Sequence, residues 1–223
     1  MRDTIRAASK SLILETLSIT KAPIGRRRFR AAVRSSQACR LNIGAGLKPV
    51  EGWINTDIHW RSRYYLDLLK PWPVPRDKVT HVYADNVIEH FTLAQGRVLL
   101  GHAFDALVAG GTIRLATPDV GRTARAYLDQ PDVTSQVLDR HRRHGYDVHY
   151  PVDLLRTTFA ENGHWMGYCH DEASLTTELA RAGFESIQRV ECGESADPVF
   201  RGLERRTEEA DVVTQLVVEA VRP

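Results

Sequence analysis

The stretch Cys39–Ile58, CRLNIGAGLKPVEGWINTDI, decides the fold. A short apolar run leads into Gly44-Ala45-Gly46, and after residues 47–56 a second apolar run ends in Asp57 and Ile58. That order reads as a strand, a glycine turn, a short crossover and a second strand tipped with a carboxylate. Glycines let backbone approach a ligand closely, and an acid at the end of the next strand accepts hydrogen bonds from two ribose hydroxyls. The pattern points to a cofactor that carries a nucleoside.

The same stretch narrows the cofactor. A dinucleotide site places a third glycine where a helix N-terminus meets a pyrophosphate, and Leu47-Lys48-Pro49-Val50-Glu51 stands there instead. The phosphate-cradling ending Gly-Lys-Ser/Thr is also absent. An adenosine without phosphates suits the spacing, and S-adenosylmethionine fits.

Working outward, Arg63–Leu68 reads as a third strand ending at Asp67, followed by a proline-broken loop over 71–75. Thr80–Ala84 is a fourth buried strand. Thr92 caps a helix running to about Val108 and ended by Gly110-Gly111, and Thr112–Ala116 is a fifth strand. Between Val120 and Cys169 the pattern loosens into helical pieces near 123–128 and 133–143 and a His-rich segment, 144–170. An irregular insertion of this length is more often functional than accidental. Asp171 caps a further helix, Phe184–Val190 is strand six, and Val212–Val221 is a long final strand. Alternation of strand and helix predicts a doubly wound α/β sheet, mostly parallel.

At 223 residues the chain is long enough for one well-buried α/β domain and short for two. Three cysteines, widely spaced and without a CxxC pair, argue against a disulfide framework or structural zinc and for a reducing cytoplasm. No apolar run approaches the ~20 residues that cross a bilayer, and no cleavage site marks a signal peptide. Charge is uneven: residues 1–40 hold ten Lys/Arg against Asp3 and Glu15, a net of +8 in a chain of net +2. This predicts a basic helical arm over 1–37, with one helix over 4–18, a break at Ala22-Pro23-Ile24-Gly25 and a second piece over 26–34. The domain proper is 38–223, with 120–170 as an insertion that covers the site or shapes the acceptor pocket. A basic arm suits an anionic partner, either the inner membrane face in peripheral contact or a polyanion.

With these pieces in order, the sequence resembles the class I S-adenosylmethionine-dependent methyltransferases, in particular the type 11-like group associated with surface-glycan biosynthesis. The series LNIGAG, GWINTDI, DLLKPWPVP, ADNVIEHF, LVAGGTIRLATPD and TQLVVEAVRP carries the resemblance across residues 39–223. It implies a Rossmann-like seven-stranded sheet with an antiparallel last strand. Gly44, Ala45 and Gly46 would line the methionine and ribose, and Asp57 with Ile58 would hold the ribose. Asp67 with Leu68 would meet the adenine, and Asp85 and Asn86 would flank the transferring methyl. Asn42 stands where the group usually has an acid, and residues 47–56 leave room for only a very short crossover helix.

A sulfonium loses its charge on transfer, so alignment is the protein's main contribution, and a hydroxyl acceptor also needs a base. His90 and His164 are the candidates, with His170, Glu89 and Asp119 behind them. Asn86-x-x-Glu89-His90 echoes the metal-binding ExxEH of small-RNA 3′-terminal 2′-O-methyltransferases, but Asn86 is a poor first ligand, so no metal is assigned. If strand six runs parallel to the first five, the loop Cys192–Asp211 opens on the cofactor side, and Arg201, Arg205 and Arg206 there could receive an anionic acceptor group. The reading is therefore methyl transfer to a small or glycan-linked acceptor, at oxygen. Its rivals are an RNA methyltransferase using the basic arm and a cofactor-binding partner without catalysis.

Overall fold

The computed structural model describes residues 20–46, 48–161, 163–204, 206 and 208–223. The helix expected over 4–18 lies outside the described residues, as does Arg205. From residue 20 a helix, α1, runs to residue 35, straight through the break expected at 22–25. Gly25 is a contact residue there: a Cβ on it would fall 2.7 Å from the Cβ of Tyr65. Ala22, Phe29 and Val33 are buried on one side of α1, and Phe29 and Val33 join the main core.

The sheet has the order β3-β2-β1-β4-β5-β7-β6, built from Cys39–Ile43 (β1), Ile54–Asp57 (β2), Tyr64–Tyr65 (β3), Val79–Asp85 (β4), Leu107–Pro118 (β5), Glu185–Val190 (β6) and Gln215–Val221 (β7). Neighbours from β3 through β5 pair parallel, while β7 is antiparallel to both β5 and β6. Strand six therefore runs parallel to the first five, as expected. The order reverses between β1 and β4, the switch point where carboxyl ends open a crevice in such sheets.

Successive residues of a strand face opposite sides, and the two sides differ here. Leu41, Ile43, Val82, Ala84, Ile113 and Leu115 pack into one core with α1, with α2 (Leu93–Ala106) and with α6 (Glu172–Arg181). Capping boxes start both later helices, Thr92 with Gln95 and Asp171 with Ser174. On the other side the crossovers β1–β2 and β2–β3 carry no helix among the described residues, not even the very short one expected. Trp53, Tyr83 and Phe200 form a small aromatic cluster there instead. An open groove of about 730 Å³, with Pro49, Trp53, Arg61 and Tyr64 in its walls, lies beside these helix-free turns.

Arg114 is the anchor of this second side. Its guanidinium is fully buried and pairs with Glu219, its cross-strand neighbour on β7, and with Glu204 at 2.7 Å. It also donates to the Glu194 carbonyl at 2.9 Å, so one arginine ties the loop after β6 to the sheet. A buried charge needs such partners, and removing either side leaves the other stranded.

The insertion folds as a helical unit with its own small core. It comprises α3 (Val120–Asp129), α4 (Pro131–Arg143) and α5 (Asp153–Ala160), and it packs Ala126, Val137, Leu138 and Leu154 against Ala210 of α7 (Glu209–Val212). Several boundaries differ from the sequence reading. Helix α2 ends at Ala106, and Gly110-Gly111 lies inside β5, where Gly110 donates to Arg222 and Gly111 accepts from it. The third strand shrinks to two residues, and α7 takes up the start of the expected last strand.

Candidate functional site

Three adjoining cavities run along the carboxyl ends of the strands. The first, of about 360 Å³, is mainly apolar and is lined by Gly44, Asp57, Ile58, Asp67, Leu68 and Asn86, with Val87, His90 and Phe91 beyond them. Gly44 has a φ of +62°, and a Cβ there would fall 2.6 Å from a Val87 methyl. Only glycine fits both conditions. The Asp57 carboxylate accepts from the amides of Gly46 and His59, each at 2.8 Å, which fixes the turn and the carboxylate together. Asp67 accepts from the Leu69 amide at 3.1 Å and has Lys70 at 3.5 Å. A carboxylate has about four acceptor positions, so both retain capacity for a ligand.

The second cavity, of about 250 Å³, continues past Gly44 and Ala45 to Asp85, Asn86 and Arg206. Asn42 lines it too. Its amide donates to Asn55 Oδ1 at 2.8 Å, and Asn55 in turn holds both the amide and the carbonyl of Val50. The amide at 42 thus serves the helix-free crossover: an acid there would oppose Asn55 Oδ1. Arg206 reaches in from the loop after β6 and grips both oxygens of Asp85.

The third cavity, of about 220 Å³, is strongly polar and is walled by Arg140, His141, Thr157, Thr158, His164 and Arg206, with Asn86 at its inner end. Asn86 lines all three cavities and holds a left-handed φ of +53°, a conformation asparagine tolerates better than most residues. His164 comes from the 3₁₀ turn His164–Met166, which rests on the 3₁₀ turn Ile88–His90. Gly167 permits that contact, because a Cβ there would fall 1.7 Å from the Glu89 carbonyl oxygen.

Glu89 is fully buried, and burial pushes its carboxyl up to about 8. His90 is held below the ordinary imidazole value by its partial burial and by His164, whose ring lies 4.9 Å away edge-on. The two imidazole rings therefore sit together at the wall between the first and third cavities. His170 is buried against Ser174 and Tyr168, and Asp119 caps α3 through the Arg122 amide. Both have structural work away from the cavities.

Gly44, Ala45, Asp57, Ile58, Asp67, Leu68, Asp85 and Asn86 thus gather on one cleft, where His90 meets His164, while Gly46 lines the open groove beside the helix-free turns instead. Arg201 does not reach it: its guanidinium donates to the carbonyls of Ser195 and Ala196 in its own loop. Arg140, His141, Thr157 and Thr158 escaped the sequence reading, since helices α4 and α5 carry no motif that marks them. Arg114 left a signal, an arginine inside the apolar run of β5.

No protein-family model matches the sequence, and neither does any curated protein. Solved structures share its fold. A SAM-dependent methyltransferase from Archaeoglobus fulgidus matches with a TM-score of 0.50 at 14% identity, over 91% of this chain and 98% of that one. The CurJ carbon methyltransferase matches at 0.49 and 17% identity, over 84% and 49%. A phosphoethanolamine N-methyltransferase from Haemonchus contortus, in complex with S-adenosylhomocysteine, matches at 0.48 and 12% identity, over 87% and 52%. The chain spans about half the length of the last two. At these identities only a likeness of fold is shown, and the Archaeoglobus fulgidus structure carries it.

Proposed function

We propose that this chain is an S-adenosylmethionine-dependent methyltransferase acting at an oxygen of a small or glycan-linked acceptor. The observation that carries this is the first cavity, where the glycine turn, the carboxylate ending β2 and a second carboxylate just beyond β3 surround an apolar space. Adenine and ribose suit that space, with the Asp57 carboxylate for the hydroxyls and Asp67 for the exocyclic amine. The methionine portion then runs past Gly44 and Ala45 into the second cavity, and the sulfonium methyl meets the acceptor near Asn86.

The acceptor side supports an oxygen nucleophile. The His90–His164 pair supplies a neutral imidazole as proton acceptor beside the third cavity. Arg140 and Arg206 in its wall suit an anionic group on the acceptor, such as a phosphate or carboxylate. That role, first read for Arg201, Arg205 and Arg206, is kept here for Arg206 and extended to Arg140. Arg27, Arg28, Arg30 and Arg34 leave the outer face of α1 basic, which suits peripheral contact of a cytoplasmic enzyme with an anionic membrane surface. No helix among the described residues is long and apolar enough to cross a membrane.

Calorimetry with S-adenosylmethionine and S-adenosylhomocysteine tests the reading. We expect one site per chain, weakened roughly 10- to 100-fold by Asp57→Ala. Absence of binding by either compound would overturn the proposal. Transfer of labelled methyl to a panel of phosphorylated and carboxylated glycans then separates an enzyme from a cofactor-binding partner.

A further inference from the structure

We infer that Glu89, His90 and His164 form a binding site for a divalent transition-metal ion, in the wall between the first and third cavities. One ligand atom from each residue lies within 4.8 Å of the other two. Glu89 Oε2 accepts from the Thr117 hydroxyl at 3.1 Å, whereas Oε1 is buried without a hydrogen-bond partner. Such an orphaned buried oxygen calls for an explanation.

The atom facing it is Nε2 of His164, at 3.9 Å. His164 Nδ1 lies 2.6 Å from the Thr158 carbonyl oxygen, which can only accept. Nδ1 therefore carries the proton, and Nε2 presents a lone pair. Ionised, as a carboxylate ligand is, Glu89 sets a lone pair of Oε1 against that of Nε2 in a buried place. The gap exceeds the roughly 2.7–3.2 Å that one shared proton bridges. Two coordinate bonds of about 2.0–2.2 Å to one cation span it. His90 stands on the third side and is exposed, so its ring has room to close on the ion.

The surroundings fit a ligand set. A backbone carbonyl at the far nitrogen is the usual device that fixes the tautomer of a metal-binding histidine, and Thr158 supplies it. Two imidazoles and one carboxylate select zinc, cobalt, manganese or iron(II) over magnesium and calcium, which prefer oxygen throughout. Three protein ligands leave coordination positions open, and these face the cleft, because His90 lines the first cavity and His164 the third. Ion binding stands independently of the proposed function. Only the identity of the outer ligand rests on that reading: an acceptor oxygen, with the histidine pair acting through the ion instead of directly as a base.

The test uses the untagged full-length chain, stripped by chelator and dialysed, without S-adenosylmethionine. Titration with Co²⁺ is followed by visible absorbance, and titration with Zn²⁺ by calorimetry. We expect one equivalent of either ion, and more than about tenfold weaker binding for Glu89→Gln and for His90→Ala. His90 is exposed, so its variant carries the test even where Glu89→Gln folds poorly. The inference is overturned if the unaltered chain binds no stoichiometric ion, or if His90→Ala binds it as tightly. Calorimetry with S-adenosylmethionine on the stripped chain keeps the two readings apart. Cofactor binding without ion binding removes the ion and leaves methyl transfer standing, and ion binding without cofactor binding does the reverse.

Discussion

The first and third cavities lie on either side of Asn86, yet they are built in different ways. The first is made from the ends of β1 and β2, the segment after β3 and the turn after β4, so its residues are placed by the backbone path of the sheet itself. The third draws on α4, α5, the 164–166 turn and the loop after β6, elements whose positions depend on distant pins such as Arg114 and Gly167. The proposed cofactor side is therefore a property of topology, and the proposed acceptor side a property of tertiary packing.

The strongest attack on this contrast is Arg114→Met. It strands Glu204 and Glu219, and we expect a loss of about 3–5 kcal/mol in urea melts, as for other broken buried ion pairs. Hydrogen exchange should quicken over residues 191–206 well before β1 and β2 respond. Equal loosening of both regions would break the contrast.

Next in size, His164→Ala should slow methyl transfer by about a hundredfold, the scale of a lost acid–base group, while the dissociation constant of S-adenosylmethionine moves less than threefold. Asp57→Ala should do the opposite. It removes hydrogen bonds to a charged group worth about 1.5–3 kcal/mol, so cofactor affinity should fall roughly 10- to 100-fold in calorimetry. If both variants shift cofactor affinity alike, the two cavities are one site.

The same contrast explains what the sequence made legible. Gly44, Asp57, Asp67 and Asn86 could be placed because each stands at or just beyond a strand end, and the order of strands carries them to one edge. His164 could be suspected but not positioned, since its approach to Glu89 depends on the missing Cβ of Gly167, far along the chain. Arg201 and Arg206 looked equivalent in the sequence, and only the loop's path separates the one that bonds its own carbonyls from the one that grips Asp85. The break expected at residues 22–25 failed for a related reason: Gly25 answers to Tyr65, not to local propensity.

The smallest expected effect sharpens the cofactor side itself. Asn42→Asp replaces the amide that donates to Asn55, and we expect a loss of about 1 kcal/mol in stability, the usual worth of one hydrogen bond. A stabilised variant would mean that Asn55 and not Asn42 sets the crossover.

On the proposed function, the helix-free crossover would also act as a filter for charge. A helix starting after Gly46 would aim its positive end at the ligand, which favours phosphates and opposes a sulfonium. Here the turn is held by the Asp57 carboxylate, and the first cavity presents Asp57 and Asp67. Its field is negative where that of a dinucleotide site is positive. ATP and NAD should accordingly fail to compete with S-adenosylmethionine at millimolar concentration, although they share its adenosine.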